Sequence, residues 1–225
     1  MAERFTTVVG AAAPLKIDNV DTNALAPGRR ASEAGQKRAF DTFGAGRQPM
    51  NLFARWRFDE NDIEKPDFIL NRPGFREAKV LLAGSNFGCG SSRETAVLYL
   101  LDFGIRVVIA PSFGEIFFNN CFKHGLLPIT LPRVTVEELW EEAAPGAPSA
   151  LFTVDLEAGT VKTPASRIVP FRLPEFRRQL LLQGTDEIAL TLQRIGEIDA
   201  FLDGVKTERP WAFPSAVISR TPRPS

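Results

Sequence analysis

Residues 78–95 read AKVLLAGSNFGCGSSRET, an apolar run that breaks into glycines and then continues into a segment of helical character. Residues 78–84 are apolar at nearly every position, with charged residues before them and a glycine-rich turn after them, which predicts a short buried strand. Gly84, Gly88 and Gly90 permit positive φ angles and close backbone approach. The pattern therefore predicts a strand, a tight turn and a helix, with the turn at one edge of a sheet.

The residues that follow the glycines predict a site for an anion. We expect Ser91 or Ser92 to cap the next helix, which continues through Tyr99, and Arg93 to lie in its first turn. Unpaired backbone N–H groups and the positive end of the helix dipole then favour a carboxylate or phosphate there. The motif is not a P-loop, because no Gly-Lys-Ser/Thr follows, and it lacks the third glycine of the GxGxxG fingerprint. A tight turn with an ordinary capped helix is the open alternative.

Length and composition indicate an ordinary soluble chain of one domain, or of one domain with appendages. The 225 residues are 44% hydrophobic and carry no formal net charge. A balanced charge gives no indication of nucleic acid or of an anionic membrane surface as a partner. No stretch approaches the roughly 20 apolar residues of a membrane helix, and the N-terminus lacks the apolar core of a signal peptide. We therefore expect a cytoplasmic protein with a small-molecule site.

The cysteines and the histidine suggest no metal site. Cys89 and Cys121 are the two cysteines of the chain, which are too few for a disulfide framework. We expect both to be small reduced residues, with Cys89 more accessible because it lies in the glycine-rich turn. His124 precedes Gly125 and is expected to end a helix, because metal sites group several ligands.

The string NFGCGSSRE at 86–94 is long and specific, and it resembles the signature of the 3-isopropylmalate dehydratase small-subunit family, the equivalent of the swivelling domain of aconitase. Three further stretches agree with that family: NVDTN at 19–23, RWRF at 55–58 and VVIAPSFGEIFFNNCFKHGLLPI at 107–129. The resemblance covers about residues 4–202.

Strands that alternate with helices, with antiparallel hairpins at both ends, favour a single mixed α/β fold. The resemblance sharpens this expectation to the β/β/α swivelling domain of the aconitase and isopropylmalate isomerase small-subunit type, over residues 1–206. Residues 207–225 are expected to form an irregular C-terminal tail. The basic, glycine-rich segment at about 26–49 is either a mobile loop that helps to select the substrate, as in the resembling enzymes, or a solvated excursion.

Several elements are predicted in detail along the rest of the chain. Strands at 105–110 and 126–130 are expected in a parallel arrangement, the second at an edge because of Pro128. A helix is expected to begin at 111–112 and to pack Phe113, Ile116 and Phe117. Further predictions are a capping box from Thr135 to Glu138, a hairpin of LFTVDL and GTVKT, and helices at 174–183 and 186–203.

The resemblance implies one half of a two-subunit hydro-lyase. Such an enzyme interconverts 2-isopropylmalate and 3-isopropylmalate by dehydration and rehydration in leucine biosynthesis. A 4Fe–4S cluster on a separate large subunit would bind the leaving hydroxyl as a Lewis acid. We expect no cofactor bound by this chain, because two cysteines fall one short of the three thiolates that an aconitase-type cluster takes. The expected partners are the large subunit, as a heterodimer, and a hydroxy dicarboxylate substrate.

The resemblance also implies the site residues. Ser91 would be the catalytic base, as an alkoxide stabilised by the amides of the turn and by Arg93, because an ordinary serine hydroxyl is too weak an acid at neutral pH. Ser92 and Arg93 would bind a substrate carboxylate, and an arginine fork can pair with both oxygens. The further substrate-binding candidates are Arg57, Asp21 and Thr22. For Asp21, turn chemistry is as good an interpretation as a catalytic duty.

Two positions depart from the family pattern beside this site. Asn23 stands where the family usually has a second aspartate, and Thr95 stands where a histidine is common. These changes leave two alternatives open: the small subunit of a related hydro-lyase that acts on another malate-like acid, and a non-catalytic carboxylate-binding module.

Overall fold

The structure, a computed structural model, describes residues 4–27, 52–143, 150–184 and 187–213. The chain divides into two compact units, residues 1–185 and residues 186–225, and each is described by itself. Most of the predicted loop at 26–49 lies outside the described residues, as does the tail from residue 214 onward. None of the described helices is long and apolar enough to cross a membrane.

The first unit is built on one mixed sheet of seven strands in the order β4-β3-β2-β1-β5-β6-β7. The strands β1 to β4 run parallel, and β1, β5, β6 and β7 pair antiparallel. The expected mixed α/β fold is therefore confirmed. The strand bounds are β1 Thr7–Leu15, β2 Val80–Ala83, β3 Val107–Ala110, β4 Leu127–Thr130, β5 Leu151–Asp155, β6 Thr160–Lys162 and β7 Ile168–Pro170.

Helices connect the parallel strands. The described helices of this unit are α1 Thr22–Leu25, α2 Ala54–Arg57, α3 Glu94–Phe103, α4 Glu115–His124, α5 Arg133–Glu142 and α6 Glu175–Gln183, with a 3-10 turn at Ile69–Asn71. The strands β2 and β3 are buried at all four positions, because they lie in the middle of the parallel region. The side chains of α3 and α4 pack with these strands in one apolar core, which fixes the turn that joins β2 to α3.

Most sequence predictions of elements are confirmed. The pair β2 and β3 is parallel, and β4 with Pro128 forms the sheet edge, where one face of the backbone needs no ladder partner. The hairpin of LFTVDL and GTVKT is the β5–β6 pair. His124 is the last residue of α4 and is followed by Gly125 in the left-handed conformation.

Three predicted helix starts are wrong. Helix α3 begins at Glu94 with Arg93 as its extended N-cap, so neither Ser91 nor Ser92 caps it. Helix α4 begins at Glu115, because the Ser112 carbonyl and the Gly114 N–H are hydrogen bonded to the Phe87 backbone and so stay outside the helix. Helix α5 begins at Arg133, directly after Pro132, so the predicted capping box at Thr135 lies inside the helix.

The second unit contains two helices where one helix was predicted over 186–203. Helix α7 covers Glu187–Leu192, helix α8 covers Ile195–Glu208, and a 3-10 turn covers Pro210–Ala212. The break between α7 and α8 follows Leu192. No residue of α8 is buried, and Phe201 is among its exposed apolar side chains.

The predicted packing of Ile116 in the first unit is also wrong, because its side chain is half exposed.

Candidate active site

The glycine-rich turn leaves the carboxyl end of β2 and crosses directly over the segment that follows β1. Gly84 makes this crossing possible, because a Cβ at this position would lie 2.3 Å from both the Ile17 carbonyl oxygen and the Asp18 Oδ1. Since real Cβ atoms do not approach other atoms so closely, only glycine fits there. The first residue of the turn therefore lies directly against the segment that follows β1.

A carboxylate holds the start of the turn. The Asp18 Oδ1 accepts hydrogen bonds from the Ser85 backbone N–H at 2.7 Å and from the Arg133 Nη1 at 2.6 Å. Arg133 is the first residue of α5 and also donates to Glu137 at 2.7 Å. The Ser85 N–H and then the Arg133 guanidinium lower the pKa of Asp18. Sequence reasoning missed Asp18 and Arg133, because 115 residues separate them in the chain.

The middle of the turn sits on an aromatic cluster. Phe87 is buried, with its ring edge-on to those of Phe113 and Phe117. Gly88 has a φ of 74°, and a Cβ there would lie 2.2 Å from the Phe117 ring. The Gly88 N–H donates to the Val20 carbonyl at 2.7 Å. The backbone of the turn is therefore held between the segment after β1 and helix α4.

Helix α1 brings the second predicted site segment onto the same turn. The Thr22 N–H donates to the Cys89 carbonyl at 2.9 Å, and the Thr22 Oγ1 donates to the Ser91 carbonyl at 2.6 Å. The Arg93 Nη1 donates to the Ala26 carbonyl at 3.1 Å, just beyond α1. The structure thus brings together Thr22, Ser91 and Arg93, which the sequence analysis selected from segments 69 residues apart.

The candidate side chains of the turn face outward. The side chains of Ser91 and Ser92 are exposed, and that of Arg93 is partly exposed. Within the described parts of the chain, no side chain forms a hydrogen bond with the Ser91 hydroxyl, and no group accepts from the N–H groups of Gly90, Ser91 and Ser92. These N–H groups lie beside the start of α3, where the helix dipole adds positive potential. Such an arrangement suits an anion.

Asp21 and the two departures from the family pattern lie around this arrangement. The Asp21 Oδ1 accepts from the Ala24 N–H at 2.7 Å and so caps α1. Asn23 is exposed and its Nδ2 donates to the Asp21 Oδ2 at 3.3 Å. Thr95 is exposed in the first turn of α3. The cap gives Asp21 a structural contact, and its predicted substrate role stays a prediction.

Arg57 lies in the interior rather than on the exposed turn. Its side chain is 0% exposed, its Nε donates to the Asn71 Oδ1 at 2.9 Å, and its guanidinium lies about 5 Å from the rings of Phe58 and Phe103. The Asn71 Nδ2 returns a hydrogen bond to the Arg57 carbonyl at 2.7 Å. Phe103 is the last residue of α3, so Arg57 supports the far end of the helix that begins at the candidate site.

The described residues do not suit an iron–sulfur cluster or another bound metal. They contain no group of three His, Cys, Asp or Glu side chains that could hold a metal ion. Cys121 is buried, and burial raises the pKa of its thiol well above the usual range, which opposes the thiolate form that a metal ligand needs. Cys89 is partly exposed in the turn.

The comparisons with known proteins agree with this fold. A family model, the aconitase C-terminal domain, matches residues 2–134, which include the whole turn. A protein named 3-isopropylmalate dehydratase small subunit from Rhodospirillum centenum is 51% identical over 94% of this chain and 99% of its own length. The chain belongs to the 3-isopropylmalate dehydratase small-subunit family. A small subunit of the same name from Dinoroseobacter shibae is 46% identical over 93% of this chain.

A solved member of the family shares the architecture. The crystal structure of 3-isopropylmalate dehydratase from Methanocaldococcus jannaschii aligns with a TM-score of 0.55 and 27% sequence identity, over 86% of this chain and 99% of that one. The similarity to the family is therefore not confined to the NFGCGSSRE turn. It extends over most of the chain. The expected swivelling-domain type is confirmed.

Proposed function

We propose that this chain is the small half of a two-subunit hydro-lyase that interconverts 2-isopropylmalate and 3-isopropylmalate by dehydration and rehydration. The family membership and the relatives' names support the substrate. The observation that carries the chemistry is the exposed Ser91 hydroxyl in a turn whose adjacent N–H groups lack acceptors in the described residues, beside Arg93. The site can therefore stabilise negative charge at the serine and at a carboxylate.

Ser91 acts in this proposal as the base that takes a proton from the carbon next to a substrate carboxylate. An alkoxide forms only if its environment lowers the free energy of the charged state by several kcal/mol. The turn offers three contributions: backbone N–H groups, the amino end of α3 and the Arg93 guanidinium. No side chain of the described residues activates the Ser91 hydroxyl by a hydrogen bond, so the stabilisation must come from this field and from the assembled partner.

Ser92 and Arg93 bind a carboxylate of the substrate in this proposal. Arg93 already donates one hydrogen bond to the Ala26 carbonyl, which fixes the guanidinium and leaves its other N–H groups for an anion. Thr22 positions the turn through the Ser91 carbonyl, and Asp21 orders α1 beside it. The carboxylate contact implied for Arg57 stays a prediction, because this buried side chain must be uncovered before a substrate can reach it.

The partner in this proposal is a large subunit that carries a 4Fe–4S cluster. The cluster supplies a Lewis acid for the leaving hydroxyl when it is bound there. This chain supplies the base and the carboxylate contacts, and the reaction site is complete only when the two subunits meet. A biosynthetic role of this kind is consistent with the cytoplasmic location that we propose.

Reconstitution tests the proposal. The purified chain is mixed anaerobically with a cluster-loaded large subunit of the family, and formation of the unsaturated acid from each isopropylmalate is followed by ultraviolet absorbance. We expect turnover from the mixture and neither turnover nor iron–sulfur absorbance from this chain alone. An assembled complex that dehydrates only another malate-like acid would identify the related hydro-lyase. An assembled complex that binds such acids without turnover would overturn the catalytic assignment.

A further inference from the structure

The segments that follow β1 and β2 each bend at an asparagine in the left-handed conformation. Asn19 has a φ of 56° and Asn86 has a φ of 57°. A positive φ is uncommon for residues with a side chain, and asparagine adopts it more readily than most. Residues in such conformations gather at functional sites, where the contacts around them hold the backbone in place. These two lie on the segments that carry Asp21, Thr22 and Ser91.

The two asparagine side chains are joined to each other. The Asn86 Nδ2 donates to the Asn19 Oδ1 at 2.9 Å. The backbone is paired at the same level, because the Asn19 N–H donates to the Ser85 carbonyl at 2.8 Å. Glycine would adopt a positive φ at no steric cost, so what asparagine adds at these positions is its amide group. The hydrogen bond between the two amides links one bend to the other.

The parallel pairing of β1 and β2 resumes beyond the two bends in the same register. Leu15 is opposite Ala83 at the ends of the strands, and Asp21 is opposite Cys89 in an isolated bridge. Asp21 lies six residues beyond Leu15, and Cys89 lies six residues beyond Ala83. A bend in only one of two paired segments would shift every pair beyond it. The matched bends therefore preserve the register.

The resumed pairing brings the candidate base to its supporting residue. Beyond the bends, the Gly88 N–H donates to the Val20 carbonyl at 2.7 Å, and the Thr22 N–H donates to the Cys89 carbonyl at 2.9 Å. The same two segments then make the hydrogen bond from the Thr22 hydroxyl to the Ser91 carbonyl. A shift of one segment against the other would therefore change the position of Ser91.

The segment after β3 holds Asn86 from the other side. The Ser112 Oγ accepts from the Asn86 N–H at 2.8 Å, and the Ser112 carbonyl accepts from the Phe87 N–H at 3.0 Å. The backbone of Asn86 is thus fixed to one neighbouring segment, while its side chain is bonded to Asn19 on the other. The amide pair therefore ties the Ser91 segment to the Thr22 segment just before their pairing resumes.

We propose that Asn19 and Asn86 are positioning residues for the reaction at the glycine-rich turn. Their joined side chains keep the two bends aligned, so that Ser91 is held by Thr22 in the geometry that proton transfer needs. Neither asparagine contacts the substrate, and the proposal rests on the proposed role of Ser91 as the base. A displacement of about 1 Å can cost on the order of a hundredfold in rate, so a contact outside the reacting groups can control turnover.

The test replaces each asparagine with glycine in the reconstituted complex. Glycine keeps the positive φ but removes the amide, so the bend remains and the link between the segments is lost. We expect the turnover number to fall at least about tenfold in Asn19→Gly and in Asn86→Gly, with KM changed by less than about twofold. The double variant should lose no more than either single variant, because each change removes the same hydrogen bond.

Two further variants separate positioning from a general loss of structure. Asn19→Asp keeps an acceptor for the Asn86 Nδ2 and tolerates the left-handed conformation, so it should retain most of the turnover. Ser166→Gly replaces another exposed residue of positive φ, at 64° between β6 and β7, and should leave turnover unchanged. Unchanged turnover in the glycine variants, additive losses in the double variant, or an equal loss in Asn19→Asp would overturn the proposal.

Hydrogen exchange tests the same link without turnover. In the free full chain, exchange of the Thr22 and Gly88 amides should become about tenfold faster in either glycine variant, the scale of a lost hydrogen bond, but not in Ser166→Gly. Unchanged exchange at both amides would contradict the positioning role. If the unmodified complex shows no turnover, the proposed function fails, and the exchange rates alone decide whether the asparagine pair positions the turn.

Discussion

Thr22 and Ser91 are joined by a hydrogen bond of 2.6 Å in which the Thr22 hydroxyl donates to the Ser91 carbonyl oxygen. The Thr22 side chain is 2% exposed, whereas Ser91 is exposed. A buried residue after β1 thus fixes the backbone of the residue proposed as the base. The exposed Ser91 hydroxyl can contact a substrate, while the buried Thr22 side chain fixes the position of the Ser91 backbone.

Replacing Ser91 with alanine tests the proposed base. The change removes the hydroxyl but keeps the backbone N–H groups, Arg93 and the packing of the turn. We expect the turnover number of the reconstituted enzyme to fall by at least about a hundredfold, the scale of a lost general base. Binding of a non-reacting substrate analogue should largely persist, as measured by titration calorimetry. Near-normal turnover would reduce the turn to anion binding or structure.

Replacing Arg93 with lysine tests a different contribution. The charge is kept, but the planar fork that holds the Ala26 carbonyl and pairs with a carboxylate is lost. We expect both weaker binding of the analogue and slower turnover, in contrast to Ser91→Ala. Single-turnover kinetics and equilibrium binding on the same complex separate the two effects. Unchanged analogue binding would argue against a carboxylate contact at Arg93.

Replacing Thr22 with valine tests the support beneath Ser91. Valine keeps the shape of the side chain but cannot donate to the Ser91 carbonyl, so we expect the free energy of unfolding to fall by roughly 1 kcal/mol. Turnover should fall as well, because the turn loses a fixed contact. The control is Thr22→Ser, which keeps the hydroxyl and should preserve turnover. Equal loss in both variants would contradict a specific role of the hydroxyl group, because Thr22→Ser retains it.

The acid stability of the chain should depend on Asp18. Its pKa is lowered in the folded state, first by the Ser85 N–H and then by Arg133. The stability that Asp18 contributes is therefore present above its unfolded pKa of about 3.9 and is lost as the pH falls through the lower folded pKa. Asp18→Asn should flatten this part of the unfolding profile. Arg133→Gln should flatten it less, since the backbone contact remains, and an equal effect would contradict this order of causes.

Gly88 should tolerate no side chain. Gly88→Ala combines a positive φ with a clash against the Phe117 ring, and we expect a loss of about 2–5 kcal/mol in the free energy of unfolding. The matched control is Gly74→Ala, which has a φ of 83° but nothing within 4 Å of the added Cβ. It should cost only about 1–2 kcal/mol. Equal losses by chemical denaturation would mean that the ring moves away without cost.

Much of the fold and the site followed from local patterns in the sequence. Apolar runs predicted the buried β2 and β3, Pro128 predicted the sheet edge, and NFGCGSSRE indicated the family and the turn between β2 and α3. These features were predictable because each depends on residues that are close in the chain. Periodicity, proline geometry and glycine content act over a few residues.

The tertiary structure decided which contacts complete the turn. Helix α3 begins at Glu94, two residues after the later of the two predicted caps, while Thr22 binds the Ser91 carbonyl from a segment 69 residues away. Helix α4 begins at Glu115, because Phe87 binds the residues before it. The contact of Asp18 with Arg133 and the burial of Arg57 likewise depend on distant partners. Local sequence patterns do not reveal such partners, because residues far apart in the chain become neighbours only when the sheet brings the ends of its strands together.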